Sequence, residues 1–586
     1  MAQEDVRTSL ANVLVIGTGA AGIRAAIAVA GSGTQVVVVG KRPRRDAHTS
    51  LAAGGINAAL GTVDPEDSWQ QHFADTLKEG YFLSDPRVVQ LMAREAPRAV
   101  QELVDWGCGF ARLPDGRLDQ RYFGAHKYRR TCYAGDYTGR SILNTLIDRA
   151  EAVGVPIVDG QYVSRLLVAG GVCFGAMAFD LHSGERTAFL ADAVILCAGG
   201  HTRLWRRSSS RRDENYGEGM ALALQAGCRV MDMELVQFHP TGMIWPEEAA
   251  GTLVTEAVRG EGGRLFNADG ERFMERYDPV RLELSTRDRV ALANYTEIME
   301  GRGGPNGGVF LDVSHRGKEE ILTKLPRMYR QFIEYQMLDI SKHPMEVAPT
   351  AHYSMGGIVV SPETHATEVA GLYAAGECTA GLHGANRLGG NSLAETLIFG
   401  RRAGEAAVAF SREAEVSIRS RRAIQEANDE LASLIGPGDE LARPLQRSLR
   451  NVMWERCGVV RDEAGLNEGL DRLSELTEAA ANVDIRPTEE GWMDLAYALD
   501  LRSGLLAAEA TVRGALARTE TRGAHNRSDF PALDPAMEVN LHQWMDADSG
   551  ELDLRAEPVA AVPDDLRALV EQVAAGEFEV EGRLLE

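Results

Sequence analysis

The chain has 586 residues, 44% hydrophobic and 25% charged, a balance that allows several domains with a large core and excludes a disordered or fibrous protein. A formal net charge of −23 argues against nucleic acid as a partner, because phosphate binding needs basic patches. Seven scattered cysteines without a Cys-x-x-Cys pair fit reduced thiols in a cytosolic compartment and give no metal or iron–sulfur ligand set.

The first apolar run, Val13-Leu14-Val15-Ile16, predicts a strand. It leads into Gly17-Thr18-Gly19-Ala20-Ala21-Gly22, an alanine-rich helix from Ile23 to Ala30, and a second strand from Val36 to Val39. This is the dinucleotide fingerprint in its proper βαβ context. The first glycine permits the tight turn, the second lets backbone approach a pyrophosphate, and the third lets helix pack on strand. The phosphates would rest on the helix N-terminus, where free N–H groups and the dipole favour negative charge. An NAD-binding unit usually ends its second strand in Asp or Glu. Here Gly40-Lys41 stands there, followed by Arg42, Arg44 and Arg45, which suits a phosphate-rich ligand but not the usual NAD grip. Next comes Ala47-His48-Thr49-Ser50-Leu51-Ala52-Ala53-Gly54-Gly55.

A buried-looking strand, Ala193 to Cys197, ends in Ala198-Gly199-Gly200. A related stretch returns at Gly371-Leu372-Tyr373-Ala374-Ala375-Gly376-Glu377, and the Gly-rich run 384–393 leads into a helix reaching Phe410. The expected organisation is a nucleotide domain split over 1–232 and 350–415, with an α+β capping domain at 233–349 inserted as a lid that can exclude water. A helical domain is expected over 416–516, where Ala, Leu, Glu and Arg recur at spacings of three and four, and a C-terminal domain over 517–586.

These motifs resemble the flavoprotein subunit of the succinate dehydrogenase and fumarate reductase family. In that family His-Thr followed by small residues ending in Gly-Gly carries FAD covalently through the histidine. His48 falls on that position, with Thr49, Ser50, Gly54 and Gly55 matching around it. The stretch Arg518-Thr519-Glu520-Thr521-Arg522-Gly523-Ala524-His525-Asn526-Arg527 also matches, so the resemblance covers nearly the whole chain except the acidic residues from about 542 on. It implies an α/β fold with a Rossmann-like FAD-binding domain. The cofactor would lie along Gly17, Gly19, Ala20, Ala21, Gly22 and Lys41, and past the turn Ala198-Gly199. Glu377 would hold the ribityl chain or ribose, and Ser392 and Leu393 would offer backbone to the ring. Glu218 replaces an aspartate that relatives commonly carry.

The resemblance also implies a catalytic set: His239 in Gln237-Phe238-His239-Pro240, Thr255-Glu256, Arg259, Arg287, His352 and Arg387. A small dicarboxylate needs two anion clamps, since each carboxylate brings a full charge into a desolvated pocket. Arg387 is similar to the family's bidentate arginine, and His239, Thr255 and His352 would hold the other oxygens. Succinate would lose a hydride to the flavin and a proton to Arg287, relayed by Glu256 and Arg259. A neighbouring Arg387 and a dry pocket make proton transfer by an arginine physically possible.

The nearest rival, L-aspartate oxidase, shares the fold and most of the clamp but lacks the flavin-linking histidine and carries a glutamate where this chain has Phe123. An apolar Phe123 would leave a substrate ammonium unpaired. A silent FAD-binding assembly subunit is the reading from another class, and the intact His239, Arg287, His352 and Arg387 argue against it. Succinate oxidases and fumarate reductases share all these motifs, so succinate oxidation is the expectation and fumarate reduction its alternative. No run reaches the roughly 20 apolar residues of a membrane span, and residues 1–10 are polar, unlike a signal segment. The expected partners are therefore an iron–sulfur subunit, together with membrane-anchor subunits, holding the chain peripherally at the cytoplasmic face of the membrane.

Overall fold

The structure is a computed structural model that describes residues 6–414, 419–487 and 491–575. Its centre is a five-stranded parallel sheet in the order Leu372–Ala374, Ala193–Leu196, Val13–Ile16, Val36–Gly40, Ile157–Asp159. Val13–Ile16 and Ala193–Leu196 are buried at every position, as continuous apolar runs are when both faces of a parallel sheet are covered. Gly17 turns the chain at φ +119, a conformation that L side chains rarely adopt, and a Cβ there would collide with the Cys197 carbonyl at 2.1 Å. The following helix starts earlier than expected, spanning Ala20–Gly31, because Gly19 itself serves as its N-cap. It packs against Asn391–Glu413, where a Cβ on Gly400 would meet the Ala21 carbonyl at 2.4 Å. Small residues at that crossing bring the second nucleotide segment onto the first, and with it the helix N-terminus at Asn391.

A four-stranded sheet of Arg7–Leu10, Arg186–Leu190, Val172–Asp180 and Gln161–Ala169 flanks this unit. The inserted region holds an antiparallel sheet in the order Val236–Met243, Met345–Ser354, Val309–Asp312, Arg264–Phe266. It encloses an apolar core of its own, with Val254, Leu265, Phe273, Val309, Leu311 and Val347. The strand Met345–Ser354 runs straight across the boundary expected at 349/350, so His352 shares a sheet with His239.

The helical region contains Arg421–Leu434, Ala442–Arg456, Glu463–Ala480 and Met493–Ala517; residues 416–418 and 488–490 of that expectation lie outside the described residues, as do 576–586 of the C-terminal one. The C-terminal strands Val539–Met545 and Leu552–Pro558 are not an appendage. They complete a sheet with Val230–Met231 and Gly357–Ile358, both from the nucleotide half. Arg518, fully buried, ties this region in through Asp232 at 3.1 Å and Glu234 at 2.8 Å, the pairing a buried charge requires. Among the described residues no helix is long and apolar enough to cross a membrane.

Candidate active site

One elongated cavity runs from the fingerprint to the capping sheet. At its first end it is lined by Gly17, Gly19, Ala20 and Ala21, by His48, Thr49, Gly54 and Gly55, and by the Ala198-Gly199 turn. Glu218 faces it from the first segment, and Glu377, Ser392 and Leu393 from the second. Two helix N-termini reach it, at Ala20 and Asn391, each following a glycine whose side chain offers no cap. An anion at one and an electron-rich ring edge at the other would both meet free N–H groups. A Cβ on Gly19 would touch only the Thr49 hydroxyl, at 3.4 Å, so backbone is open to a ligand there. This cradle fits FAD.

Gly22 and Ser50 take other places. Gly22 faces the Gly17 carbonyl, which a Cβ would meet at 2.0 Å, and so seats helix on strand. Ser50 is buried and lies 3.3 Å from Nη2 of Arg211. The basic strand end is engaged in ion pairs. Lys41 lines the cavity, but its Nζ donates to Glu218 at 2.7 Å and Asp500 at 3.0 Å. Burial alone would lower the Lys41 pKa, and the two carboxylates more than offset it. Arg42 pairs with Asp46 and Asp213, Arg44 with Asp159, and Arg45 with Asp148. The run forms a set of ion pairs that fix the loop, with Lys41 and Arg42 also at the cavity wall.

His48 opens a short 3-10 turn, His48–Leu51, whose first hydroxyl, Thr49 Oγ1, accepts the Ala20 N–H at 3.1 Å. Its Nδ1 lies 2.8 Å from Glu214 Oε1. Burial opposes the charged form of His48, but Glu214 outweighs it and raises the pKa above its usual 6.5. In Glu214 burial is likewise outweighed, by His48 and Arg211, and its pKa falls to about 2. Nothing in the sequence spacing links Glu214 to His48, and this contact is visible only in the fold. Glu377 accepts from the Ser354 N–H at 3.1 Å, and burial raises its pKa.

The other end is built from charged side chains. Arg287, at the first turn of the helix Arg287–Glu297, donates from Nε to Glu256 at 2.7 Å, with Nη2 2.6 Å from the same oxygen. Arg259 does not line the cavity; it lies fully buried behind Glu256, 3.8 Å away, and donates to the Glu283 carbonyl at 2.5 Å. Burial would raise the Glu256 pKa, yet Arg287 and Arg259 bring it down to about 2. Arg387 donates to Ser392 at 2.9 Å and to Gln237 at 3.1 Å, while its Nε has no hydrogen-bond partner among the described residues. Burial, then Arg287, depresses its pKa to about 9. A cation held so unfavourably gains most from an incoming carboxylate. Gln237 Oε1 accepts from both Arg387 and Arg287, the latter at 3.0 Å, and so sets the two guanidinium groups side by side. Gln237 was findable from the sequence, since it stands two residues before His239 on one strand and alternate residues share a face.

His239 and His352 face each other with ring centroids 5.2 Å apart. His352 is the extra residue of a β-bulge: Gln237 pairs with Tyr353 and Phe238 with Ala351, and such bulges re-aim side chains. The Thr241 N–H donates to His239 Nδ1 at 3.2 Å, and Ser209 Oγ lies 2.9 Å from His352 Nδ1. Burial, reinforced by nearby cationic or imidazole groups, pushes both histidines well below pH 6.5. Two neutral imidazoles, each with Nδ1 already engaged, therefore line this end of the cavity. Thr255 lies beside them at the start of the short helix Ala257–Gly260, and Phe123 lies over Gly54 and Gly389. Phe123 carries no charge into this end.

The family model described as FAD binding domain matches residues 12–393, and that described as Fumarate reductase flavoprotein C-term matches 446–566. The second match reaches past residue 542, where the sequence looked individual. The chain is 44% identical over 527 residues to one of the subunits of the fumarate reductase (CoM/CoB) of Methanothermobacter marburgensis, covering 89% of this chain and 95% of that one. It is 34% identical to the succinate dehydrogenase flavoprotein subunit of Rickettsia bellii, covering 95% and 97% of the two chains. Its fold superposes on Mycobacterium smegmatis Sdh1, solved in complex with UQ1, with a TM-score of 0.86 at 40% identity over 95% of each chain. The chain belongs to the succinate dehydrogenase and fumarate reductase flavoprotein subunit family and is an FAD-dependent oxidoreductase.

Proposed function

We propose that this chain interconverts succinate and fumarate, with succinate oxidation as its working direction, on FAD attached through His48. The observation that carries the reading is the pairing of Arg287 and Arg387 on one Gln237 oxygen, opposite two neutral histidines. Two anion-binding faces across one pocket suit a four-carbon dicarboxylate. Arg387 takes one carboxylate in its fork, and His239, Thr255 and His352 donate to the remaining oxygens. Phe123 leaves no partner for an ammonium, which disfavours an amino-acid substrate. When bound, FAD supplies the two-electron acceptor for hydride. Arg287 holds the methylene proton at its guanidinium, and Glu256 and Arg259, in contact behind it, give that proton a path out. The inserted region over 233–349 acts as the lid that keeps water from the transfer.

Attachment to His48 would hold the flavin and raise its potential, which withdrawing electrons from an unactivated C–C bond requires. That supports oxidation of succinate. Fumarate reduction is the second reading, favoured by the 44% identity to a fumarate reductase component. Electrons must leave the flavin, so we place an iron–sulfur subunit beside the nucleotide domain, with membrane-anchor subunits beyond it, on the cytoplasmic face. Initial rates of succinate oxidation with an artificial acceptor, and of fumarate reduction with a reduced dye, test the reading. A dominant oxidative rate supports the main direction, a dominant reductive rate the second, and no rate in either direction contradicts both.

A further inference from the structure

The reading of His48 as the flavin anchor leaves open what makes this imidazole a nucleophile, and that question turns on its neighbours. An ionised carboxylate only accepts hydrogen bonds, so Glu214 fixes the proton on Nδ1 at 2.8 Å. In the neutral ring, the form that attacks, Nε2 on the other side then carries the lone pair, and it has no hydrogen-bond partner among the described residues. Glu214 is itself braced. Its Oε1 accepts the Arg211 N–H at 2.8 Å, and its Oε2 lies 3.3 Å from Arg211 Nη1. Arg211 also reaches Asp46 Oδ1 at 2.8 Å, the Asp46 carbonyl at 3.0 Å and Ser50 at 3.3 Å. It therefore clasps the segment on both sides of His48 and ties it to the loop that carries Glu214. The side chain of Glu214 is only 7% exposed, so little water competes for its oxygens, while His48 is more open, at 28%.

We propose that Glu214 is a positioning residue for flavin attachment, holding His48 with Nε2 presented to the cavity, and that Arg211 holds Glu214 in place. The inference rests on the reading of His48 above. In the step served, a bond forms between Nε2 and the 8α carbon of the flavin while one C–H bond of that methyl group breaks. The C–H proton passes to the ring system, and the bonding pair leaves the flavin reduced by two electrons. The alkylated imidazole becomes cationic, and its Nδ1 proton faces the Glu214 carboxylate, which balances the charge. Fumarate then takes the electron pair and two protons to become succinate, restoring the oxidised flavin. The arrangement parallels a carboxylate that fixes the tautomer and orientation of a catalytic histidine.

The test uses the full chain, made without flavin and incubated with FAD and fumarate. Total bound FAD is read by absorbance, and attached FAD by fluorescence on a denaturing gel and by intact mass. Glu214→Gln keeps the shape and removes the charge; Glu214→Ala removes both; Glu214→Asp keeps the charge on a shorter arm. The expected result is normal FAD binding in all three, attachment slowed about tenfold or more in Glu214→Gln and Glu214→Ala, and partial recovery in Glu214→Asp. Arg211→Ala, which keeps the carboxylate but frees it, should slow attachment less than Glu214→Ala. Glu214→Gln attaching flavin at the wild-type rate overturns the proposal while leaving His48 as the anchor. Wild-type protein that never attaches flavin overturns the reading of His48, and the proposal with it.

Discussion

The two ends of the cavity solve different problems with different materials. The flavin end is mostly backbone: Gly17, Gly19, Gly54, Gly55 and Gly199, with two helix N-termini, so most of its binding surface is N–H groups and shape. The dicarboxylate end is side chain: Arg287, Arg387, Glu256, His239 and His352, drawn from five separate places in the chain, with Gln237 holding the two arginines side by side. A backbone cradle tolerates change in side chains that do not intrude. A side-chain clamp of buried charges does not, because removing one partner leaves another unpaired. The charges themselves differ in balance. Arg287 has Glu256 at 2.7 Å, whereas the hydrogen bonds of Arg387 among the described residues go to neutral acceptors, Gln237 and Ser392. On this comparison Arg287 is set up to handle a proton and Arg387 to receive an anion.

Mutations can break that contrast. The largest effect is expected for Arg287→Ala: turnover should fall by about 10²–10⁴, the range of a positioned acid–base group, and by more than the affinity for a non-reacting dicarboxylate inhibitor falls. Steady-state kinetics with an inhibition constant decides it, and an unchanged kcat would remove Arg287 from proton transfer. Arg387→Ala should lose dicarboxylate affinity by about 3–5 kcal/mol, the scale of a broken buried charge contact, which isothermal titration with the same inhibitor measures. At the flavin end His48→Ala should still bind FAD, now extractable by acid, and keep fumarate reduction while losing succinate oxidation. Equal loss of both directions would show that attachment serves retention and not potential. The smallest effect concerns pH. His239 and His352 are already neutral well below pH 6.5, so dicarboxylate affinity should show no break between pH 6 and 8 from either ring. A protonation step in that window, abolished by His239→Asn or His352→Asn, would contradict the neutral clamp.

The same contrast explains what the sequence disclosed. The first wall of the flavin end is local: strand, glycine turn, helix and second strand lie within residues 13–40, so spacing and residue type identify it without any relative. The clamp gathers residues 237 to 387, and only the resemblance assembled them, because no spacing connects Arg387 to Gln237. The ion pairs of Lys41 and its neighbouring arginines are invisible in the sequence, because their partners, among them Asp213, Glu218 and Asp500, are distant in the chain. Glu214 escaped for the same reason. The bulge that turns His352 inward depends on strand register, which pattern alone does not give.

The central claim is that a flavin in this chain exchanges two electrons with a four-carbon dicarboxylate. The most direct measurement is an anaerobic one: reduce the bound FAD stoichiometrically with dithionite, add fumarate, and follow the flavin absorbance while assaying succinate. The account predicts that oxidised absorbance returns with one succinate formed per flavin, and that Arg287→Ala stays bleached. A wild-type flavin that stays reduced with fumarate, yet reoxidises promptly in air, would contradict it.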